Sequence, residues 1–410
     1  MLLAHLADLH LGYRAYHRLV QGGINARERD VALAFRAALD QVVQLRPDVI
    51  LVAGDVFHTV RPSNAAIADA FRQFARLKNA LPETPLVIIA GNHDSPRSVE
   101  TGSILRLFAE IPGVHVIDQE TRTVLFESLD LAVTGVPHTP LATGELLPDP
   151  DPRAGTNVLM LHGELIGPIA EAKLGFTSEF GGAQIDAEHI RSDKWDYIAL
   201  GHHHVATEIA PNTWYAGGIE RTSANIWKER GPKGFLTFET DTATARFHEV
   251  ETREMYDLTA FSARVERNGS SSDPLYLDAG EIDAQILARV EAVPGGIEGK
   301  IIRLVIYDVP RDLFRELDHR RLREWRSAAL HFHLDARRPE SRRSGLIPGV
   351  GKRRTLEQEV EWYLTEHWRP TSSDIDKARL INLGHLYLAE TRGITPVTEG
   401  DEPTLAADAE

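Results

Sequence analysis

The 410-residue chain contains no cysteine. That absence excludes disulfides and every thiolate-based metal site, while leaving the redox compartment undetermined. Long apolar runs are also missing, and none approaches the roughly 18 residues of a membrane span. Positive charge is in deficit: 45 Lys and Arg stand against 60 Asp and Glu, a formal net charge of −15. This balance argues against a stand-alone, sequence-independent DNA binder, which would neutralise phosphates with Lys and Arg. It leaves nucleic acid open as a substrate, because bound dications or a basic partner would reverse the local sign. No G-x-x-x-x-G-K-[ST] loop occurs, so any ATP dependence has to come from another protein. The chain runs almost directly into a candidate site, leaving no room for a cleavable signal peptide. The cytoplasm, with no membrane association, is the expected location.

What is present is an ordinary globular composition, 42% hydrophobic and 26% charged, at a length that predicts two or three domains. Five short segments stand out, each following an apolar, strand-like run. They are Asp8-Leu9-His10, Gly54-Asp55-Val56-Phe57-His58, Gly91-Asn92-His93-Asp94, His162-Gly163-Glu164 and Gly201-His202-His203-His204. Runs such as Val49–Ala53 and Leu86–Ala90 read as buried strands. Side chains at their C-terminal ends converge on one rim of a sheet, where open α/β proteins bind ligands. The oxygen and nitrogen donors gathered there are roughly what two divalent cations need.

Organisation along the chain agrees with this placement. Helices are expected over Arg27–Leu45, with Val31, Phe35, Ala38, Leu39 and Val42 on one stripe, and over Asn64–Leu81, with Ile67, Phe71, Phe74 and Leu77. A short helix over Ser103–Ala109 follows. Strands then dominate, among them Val114–Ile117, Thr123–Phe126, Leu129–Val133, Trp214–Ala216, Gly234–Phe238 and Thr244–Val250. Helix-linked strands followed by hairpins predict a two-sheet sandwich covered by helices over residues 1–252. Residues 253–336 read as a small α+β domain, with helices over Ile282–Val293 and Asp312–Trp325 and strands over Lys300–Tyr307 and Ala328–Leu334. A basic linker over 337–354 carries Arg337, Arg338, Arg342, Arg343, Lys352, Arg353 and Arg354. Residues 355–392 hold two amphipathic helices, with Leu356, Val360 and Leu364 on one face and Leu380, Leu383 and Tyr387 on another. Residues 393–410 form an acidic tail expected to be disordered.

Asp8 and His10, two apart in an extended segment, point to the same side and can chelate one ion. His202 and His204 repeat that spacing, with His203 turned away. Any one of these residues alone has a bland reading: a strand-end Asp is usually a cap or turn, and a loop His is usually solvated. The bland readings weaken because the motifs occur together, in order, each at a strand end. Asn92 offers a neutral carbonyl oxygen that completes a shell without adding charge, and His162 completes a second ion. His93, an imidazole beside the centre, is the natural general acid for an oxygen leaving group.

The order D-x-H, G-D, G-N-H-[DE], H, G-H-x-H resembles that of the calcineurin-like metallophosphoesterases. The fuller forms Ala7-Asp8-Leu9-His10-Leu11-Gly12, Gly54-Asp55-Val56-Phe57-His58 and Gly91-Asn92-His93-Asp94 resemble the SbcD-type nucleases. The resemblance implies that Asp8, His10 and His204 hold one ion, that Asn92, His162 and His202 hold the other, and that Asp55 bridges. It implies two divalent ions, with Mn²⁺ the family's preference, although zinc and iron suit the same donors. His58 resembles a position that orients the DNA phosphate. Residues 253–336 would cap DNA, and the last two helices would dock an SbcC-type coiled-coil ATPase in a heterotetramer holding two copies of this chain. Ile104–Phe108 with Ile67–Leu77 is the candidate homodimer contact, an assignment that periodicity alone does not separate from core packing. The competing readings are a small-molecule phosphodiesterase or phosphatase of the same fold, and a non-catalytic scaffold. The first would have little use for so long a chain beyond the metal domain, and the second is opposed by a full donor set.

Overall fold

A computed structural model describes residues 1–96, 102–174, 181–265 and 275–339, together with 362, 363, 368, 379 and 383. Residues 1–339 form one compact unit and 340–410 another. The expected linker, terminal helices and acidic tail therefore lie almost wholly outside the described residues. Among the described residues, no helix is long and apolar enough to cross a membrane.

The first four strands, β1 (Leu2–Leu6), β2 (Val49–Ala53), β3 (Leu86–Ile89) and β4 (Val114–Ile117), are parallel neighbours in that order. Their crossovers are α1 (Ala26–Leu45), α2 (Asn64–Ala80) and a 3-10 helix, Ile104–Glu110. Asn25 caps α1 by accepting from the Arg27 and Glu28 amides, and Ser63 caps α2 at Ala66. The predicted stripe of α1 is the buried one, from Val31 to Val42. Sequence and structure agree here because a buried helix face and a fully buried strand both leave strong apolar periodicity.

The second sheet is built from β5 (Arg122–Phe126), β6 (Leu131–Val136), β7 (Thr156–His162), β10 (Tyr197–Gly201), β11 (Thr207–Ala210) and β12 (Thr213–Tyr215). A short parallel pair, β8 (Glu164–Ile166) and β9 (Gln184–Asp186), and the helices α3 (His138–Ala142) and α4 (Pro168–Leu174) lie along the chain between β6 and β10. The sheet order is β11-β12-β10-β7-β6-β5. Its four inner strands are parallel, and only the outermost pairs are antiparallel. The hairpins expected through this region are thus confined to the edges. The strand expected over Leu129–Val133 begins later and runs to Val136, because Glu127–Leu129 form a 3-10 turn closed by Asp130 in the left-handed region. β13 (Gly234–Glu239) and β14 (Thr244–Glu249) return as a hairpin to the open edge of β1.

Strand alternation divides the core. Leu3, Leu51, Val87 and Ile89 meet Val133, Val158, Met160 and Tyr197 between the two sheets. Ala4, Leu6, Ile50, Val52 and Ile88 face the first helical layer, and Leu159, Leu161, Ile198 and Leu200 face the outer layer of the second sheet. The result is helix–sheet–sheet–helix, with period-two patterning serving two interfaces at once.

Beyond Val250, β15 (Met255–Ser262), β18 (Ile301–Tyr307) and β19 (His331–Ala336) form a wholly parallel sheet in the order β15-β18-β19. A two-stranded ribbon, β16 (Arg264–Val265) with β17 (Leu275–Tyr276), and α5 (Ala279–Glu291) occupy the first crossover. Asp278 and Glu281 form a capping box on α5. The single helix expected over Asp312–Trp325 is instead two, α6 (Arg311–Glu316) and α7 (His319–Ala328). Leu317 takes an extended conformation, and the Asp318 side chain accepts from Arg321 N to start a new helix.

Part of the expected homodimer contact faces the core instead. Leu105 and Phe108 are fully buried, with Phe108 packed edge-on to Phe74 at 5.0 Å between ring centroids. The 3-10 helix turns Leu107 outward in their place, beside Ile67 and Phe71.

Candidate metal centre

The five motif segments do converge. β1, β2, β3, β7 and β10 are parallel within their sheets, so their C-terminal ends lie on one rim. Gly201 pairs with His162 in register. The loops beyond β1 and β2 run side by side: the amides of Asp8, His10 and Leu11 donate to the carbonyls of Gly54, Asp55 and Val56 at 3.1, 2.9 and 2.9 Å. This pairing alters the local geometry expected for Asp8 and His10. Both residues have left-handed backbone, φ 51° and 44°, so the segment is not extended. The two side chains are brought together by a turn that follows the neighbouring loop.

Three donor groups have ligand atoms mutually within 4.8 Å: Asp8, His10 and His204; Asp55, His162 and His202; and His10, His58 and His93, of which the first two carry carboxylates. In the first, His10 Nε2 lies 3.0 Å from His204 Nε2. Two imidazole nitrogens turned toward each other this closely would suit a shared cation. In the second, Asn92 Oδ1 lies 3.0 Å from His162 Nε2 and 3.2 Å from His202 Nδ1. Asp55 Oδ2 sits between the groups, 3.2 Å from His162 Nε2 and 3.8 Å from His10 Nε2. Asp8 Oδ2 is buried with no hydrogen-bond partner among the described residues, a costly state for a carboxylate oxygen unless a cation meets it. Hard donors, a shared carboxylate and this orphaned oxygen fit two divalent cations.

The electrostatics agree. Burial pushes the Asp8 carboxyl up to about 6, against the pull of His204 and His162. Burial would raise Asp55 as well, but the charge of His162 holds it well below the usual carboxylate range. Burial works against protonation of His162, yet Asp55 lifts it to about 9. Asp55 thus favours positive charge at His162, and an imidazole has to be neutral to bind a metal.

Glycines permit the approach. A Cβ at Gly54, which has φ 89°, would overlap His162 Nδ1, and one at Gly91 would overlap Asp55 Oδ1. The remaining contacts fix orientation. His162 Nδ1 donates to Ala53 O at 2.8 Å, His202 N to Asp8 Oδ1 at 2.9 Å, and His93 N to Asp55 Oδ1 at 2.9 Å. His93 Nδ1 donates to His58 O at 2.6 Å, which leaves Nε2 as the position for its second proton. His58 Nδ1 stands 3.3 Å from His10 Nδ1, and its ring lies edge-on to Tyr13. His203 is turned from both donor groups; it is buried against the Tyr215 ring.

Four further residues matter here: Asp94, which the third motif contains without a role assigned to it, and His138, Glu229 and Lys233, which lie outside the motifs. Asp94, buried, accepts from the amides of Val56, Phe57 and Gly91 at 3.0, 3.0 and 3.1 Å and so ties the second loop to the third. His138 opens α3, two residues beyond the end of β6. Its amide donates to Ala90 O at 3.0 Å, its Nδ1 is buried without a hydrogen-bond partner among the described residues, and burial lowers it to about 4. Glu229 and Lys233, both buried, lie behind His204. A lone His after Val-Pro, or a Glu and a Lys four apart, carries no metal spacing to announce it. Only the strand-end position of His138 was available as a signal.

Comparison with known proteins places this geometry. The chain is 34% identical over 113 residues to the DNA double-strand break repair protein Mre11 of Methanococcus maripaludis, covering 28% of each chain. It is 27% identical over 276 residues to the protein of that name from Methanocaldococcus jannaschii, covering 63% of this chain and 69% of the other. Against that of Haloferax volcanii it is 31% identical over 258 residues, covering 61% and 52%. The matched stretches thus span between about a quarter and two thirds of these relatives. Residues 1–206, which contain every candidate ligand, match the model of the calcineurin-like phosphoesterases. The chain belongs to the calcineurin-like phosphoesterase family.

Proposed function

We propose that this chain is an Mn²⁺-dependent DNA nuclease, a double-strand exonuclease and single-strand endonuclease of the SbcD type that works with an SbcC-type ATPase in DNA end processing. The observation that carries the reading is Asp55 Oδ2 set between His162 and His10, the place of a bridging carboxylate. Asp8, His10 and His204 would hold one cation and Asn92, His162 and His202 the other. Cations bound there would supply Lewis-acid polarisation of a phosphate and would lower the pKa of a nearby water. His93 donates the proton of Nε2 to the leaving oxygen, with its ring held by His58 O and its backbone by Asp55. His58 contacts the substrate phosphate from beside His10.

The likeness to break-repair proteins supports DNA as the substrate. The chain's formal charge of −15 makes a basic partner or the cations themselves the source of phosphate attraction. Residues 1–252 form the proposed nuclease domain and 253–336 the proposed DNA cap. The segment 355–392, almost wholly outside the described residues, is the proposed dock for the ATPase. The outward patch of Ile67, Phe71 and Leu107 is the proposed contact between two copies, and the cytoplasm is the proposed location.

One set of assays tests the catalytic reading. With Mn²⁺, and not with EDTA, the purified chain is expected to degrade linear duplex and single-stranded DNA in preference to a generic phosphatase substrate. Asp55→Ala is expected to lose activity together with bound metal. His93→Ala is expected to keep both ions and lose about 10²–10⁴ in rate, the range of a general acid. Preference for the phosphatase substrate would overturn the nuclease reading, and metal loss in His93→Ala would make that residue a ligand.

A further inference from the structure

His204 is held from two directions. Its Nε2 faces His10 Nε2 at 3.0 Å, and its Nδ1 faces Glu229 Oε1 at 3.6 Å. Glu229 has no exposed surface, and Lys233, which bonds directly to Glu229 Oε2, is 2% exposed. Glu229 Oε1 also accepts the amides of Thr222 and Ser223 at 3.1 and 2.7 Å. Lys233 Nζ turns to the backbone and donates to His204 O at 2.7 Å. One buried pair therefore bonds the main chain of a single candidate ligand and sets a carboxylate at ion-pair distance behind its ring.

Such a pair needs a reason. Two ions removed from water cost several kcal/mol each to desolvate, and well-packed apolar residues often serve stability as well or better. Glu229 and Lys233 lie in the loop leading into β13, which begins at Gly234. The other donor group is backed differently: His162 Nδ1 donates to the neutral carbonyl of Ala53. A carboxylate behind an imidazole fixes the tautomer that presents Nε2 and raises the basicity of that nitrogen more than a carbonyl does.

We propose that Glu229, fixed by Lys233, is the positioning residue for His204 and makes the Asp8–His10–His204 site the tighter of the two cation sites. This rests on the two-cation reading above. Lys233 supplies the countercharge that keeps Glu229 ionised in a dry environment, and it ties the carboxylate to the residue it serves. Glu229 touches no substrate, so its effect is to be read in metal affinity.

Calorimetric titration of the full chain with Mn²⁺ is the test. Wild type is expected to show two sites of unequal affinity. Glu229→Gln, which leaves a neutral acceptor like the Ala53 carbonyl, is expected to weaken the tighter site about tenfold and spare the other. Glu229→Leu with Lys233→Met, which removes both charges together, is expected to weaken it about a hundredfold, the upper end for losing an outer partner of a ligand. Wild-type crystals soaked in limiting Mn²⁺ give an answer that needs no variant: anomalous density is expected first beside His204. Equal sites in wild type, density first beside His162, or variants that titrate like wild type would each overturn the proposal while leaving the two-cation reading standing. A wild-type chain that takes up no cation would remove that reading itself.

Discussion

Asp8, His10, Asp55 and His202 all have positive φ, from 44° to 101°. Non-glycine residues in that region cost on the order of 1–3 kcal/mol each. Four among seven candidate ligands is a concentration of strain that the surrounding hydrogen bonds must hold, and the paired loops at residues 8–11 and 54–56 do so. The motif spacing was readable because ligand chemistry restricts residue type. The strain was not, because it depends on a neighbouring loop some 45 residues away in sequence. Glu229 and Lys233 were invisible for a related reason: four apart, they resemble any solvated charge pair until burial is known.

The same layer contains a titration with a measurable sign. His5, three residues before Asp8, is fully buried between the sheets, with Nδ1 2.9 Å from the Tyr197 hydroxyl, and burial lowers its pKa from 6.5 to about 3. Between those values the unfolded chain binds a proton that the folded chain refuses, so stability falls as pH drops through that window. His5→Gln keeps a partner for Tyr197 and cannot titrate. Its stability by urea unfolding in EDTA is expected to depend on pH between 5 and 6 less steeply than wild type, by about 1.4 kcal/mol per pH unit, one proton's worth. Equal slopes would show that His5 already carries its proton in the folded state.

Among the elements, legibility followed burial. The stripes of α1 and the runs of β2 and β3 were read to within a residue or two, because full burial leaves few polar interruptions. Strand direction was not read, since parallel β6, β7 and β10 and a hairpin share the same short apolar signature. The segment Ile104–Glu110 shows where periodicity misleads. A 3-10 turn repeats every three residues, so Leu105 and Phe108 face inward together while Leu107, 38% exposed, faces out. Leu105→Ala is therefore expected to cost about 2–5 kcal/mol of stability, as a buried Leu truncation does. Leu107→Glu is expected to leave the melting temperature nearly unchanged and to convert any dimer into monomer by light scattering. A dimer that survives Leu107→Glu would move the contact elsewhere on the molecule.

Across residues 1–339, the elements from β15 to β19 join the two-sheet body through a junction that is more polar than apolar. Its apolar part is small, with Ala26, Ile226, Ile301 and Leu330 buried and Tyr16, Val20, Trp227 and Met255 partly so. Its polar part runs from Glu220 to Arg27 at 2.6 Å, on to Asp30 at 2.9 Å, and from Asp30 to Arg253, which also donates to Gly299 O at 2.6 Å. Arg18 closes the end of α7 by donating to the carbonyls of Arg326 and Ala329 at 2.8 and 3.1 Å, and Tyr16 stacks on His331 with ring centroids 3.9 Å apart. Tyr16 and Arg18 follow directly on the His10 loop, so the strap that holds the second part grows out of the candidate metal centre. Junctions of this polar kind usually permit relative motion. Arg27 is 1% exposed, and removing Asp30 would take away one of its two carboxylates, leaving Glu220, and would strip Arg253 of its partner as well. Arg253 is the gentler point of entry, because Asp30 keeps Arg27. Arg253→Ala combined with Arg18→Ala is expected to speed hydrogen exchange in β18 and β19 while β1, β2 and β10 keep their protection and Mn²⁺ uptake is unchanged. Uniform loss of protection across both parts would mean that they unfold as one body and that the polar junction is not a separable joint.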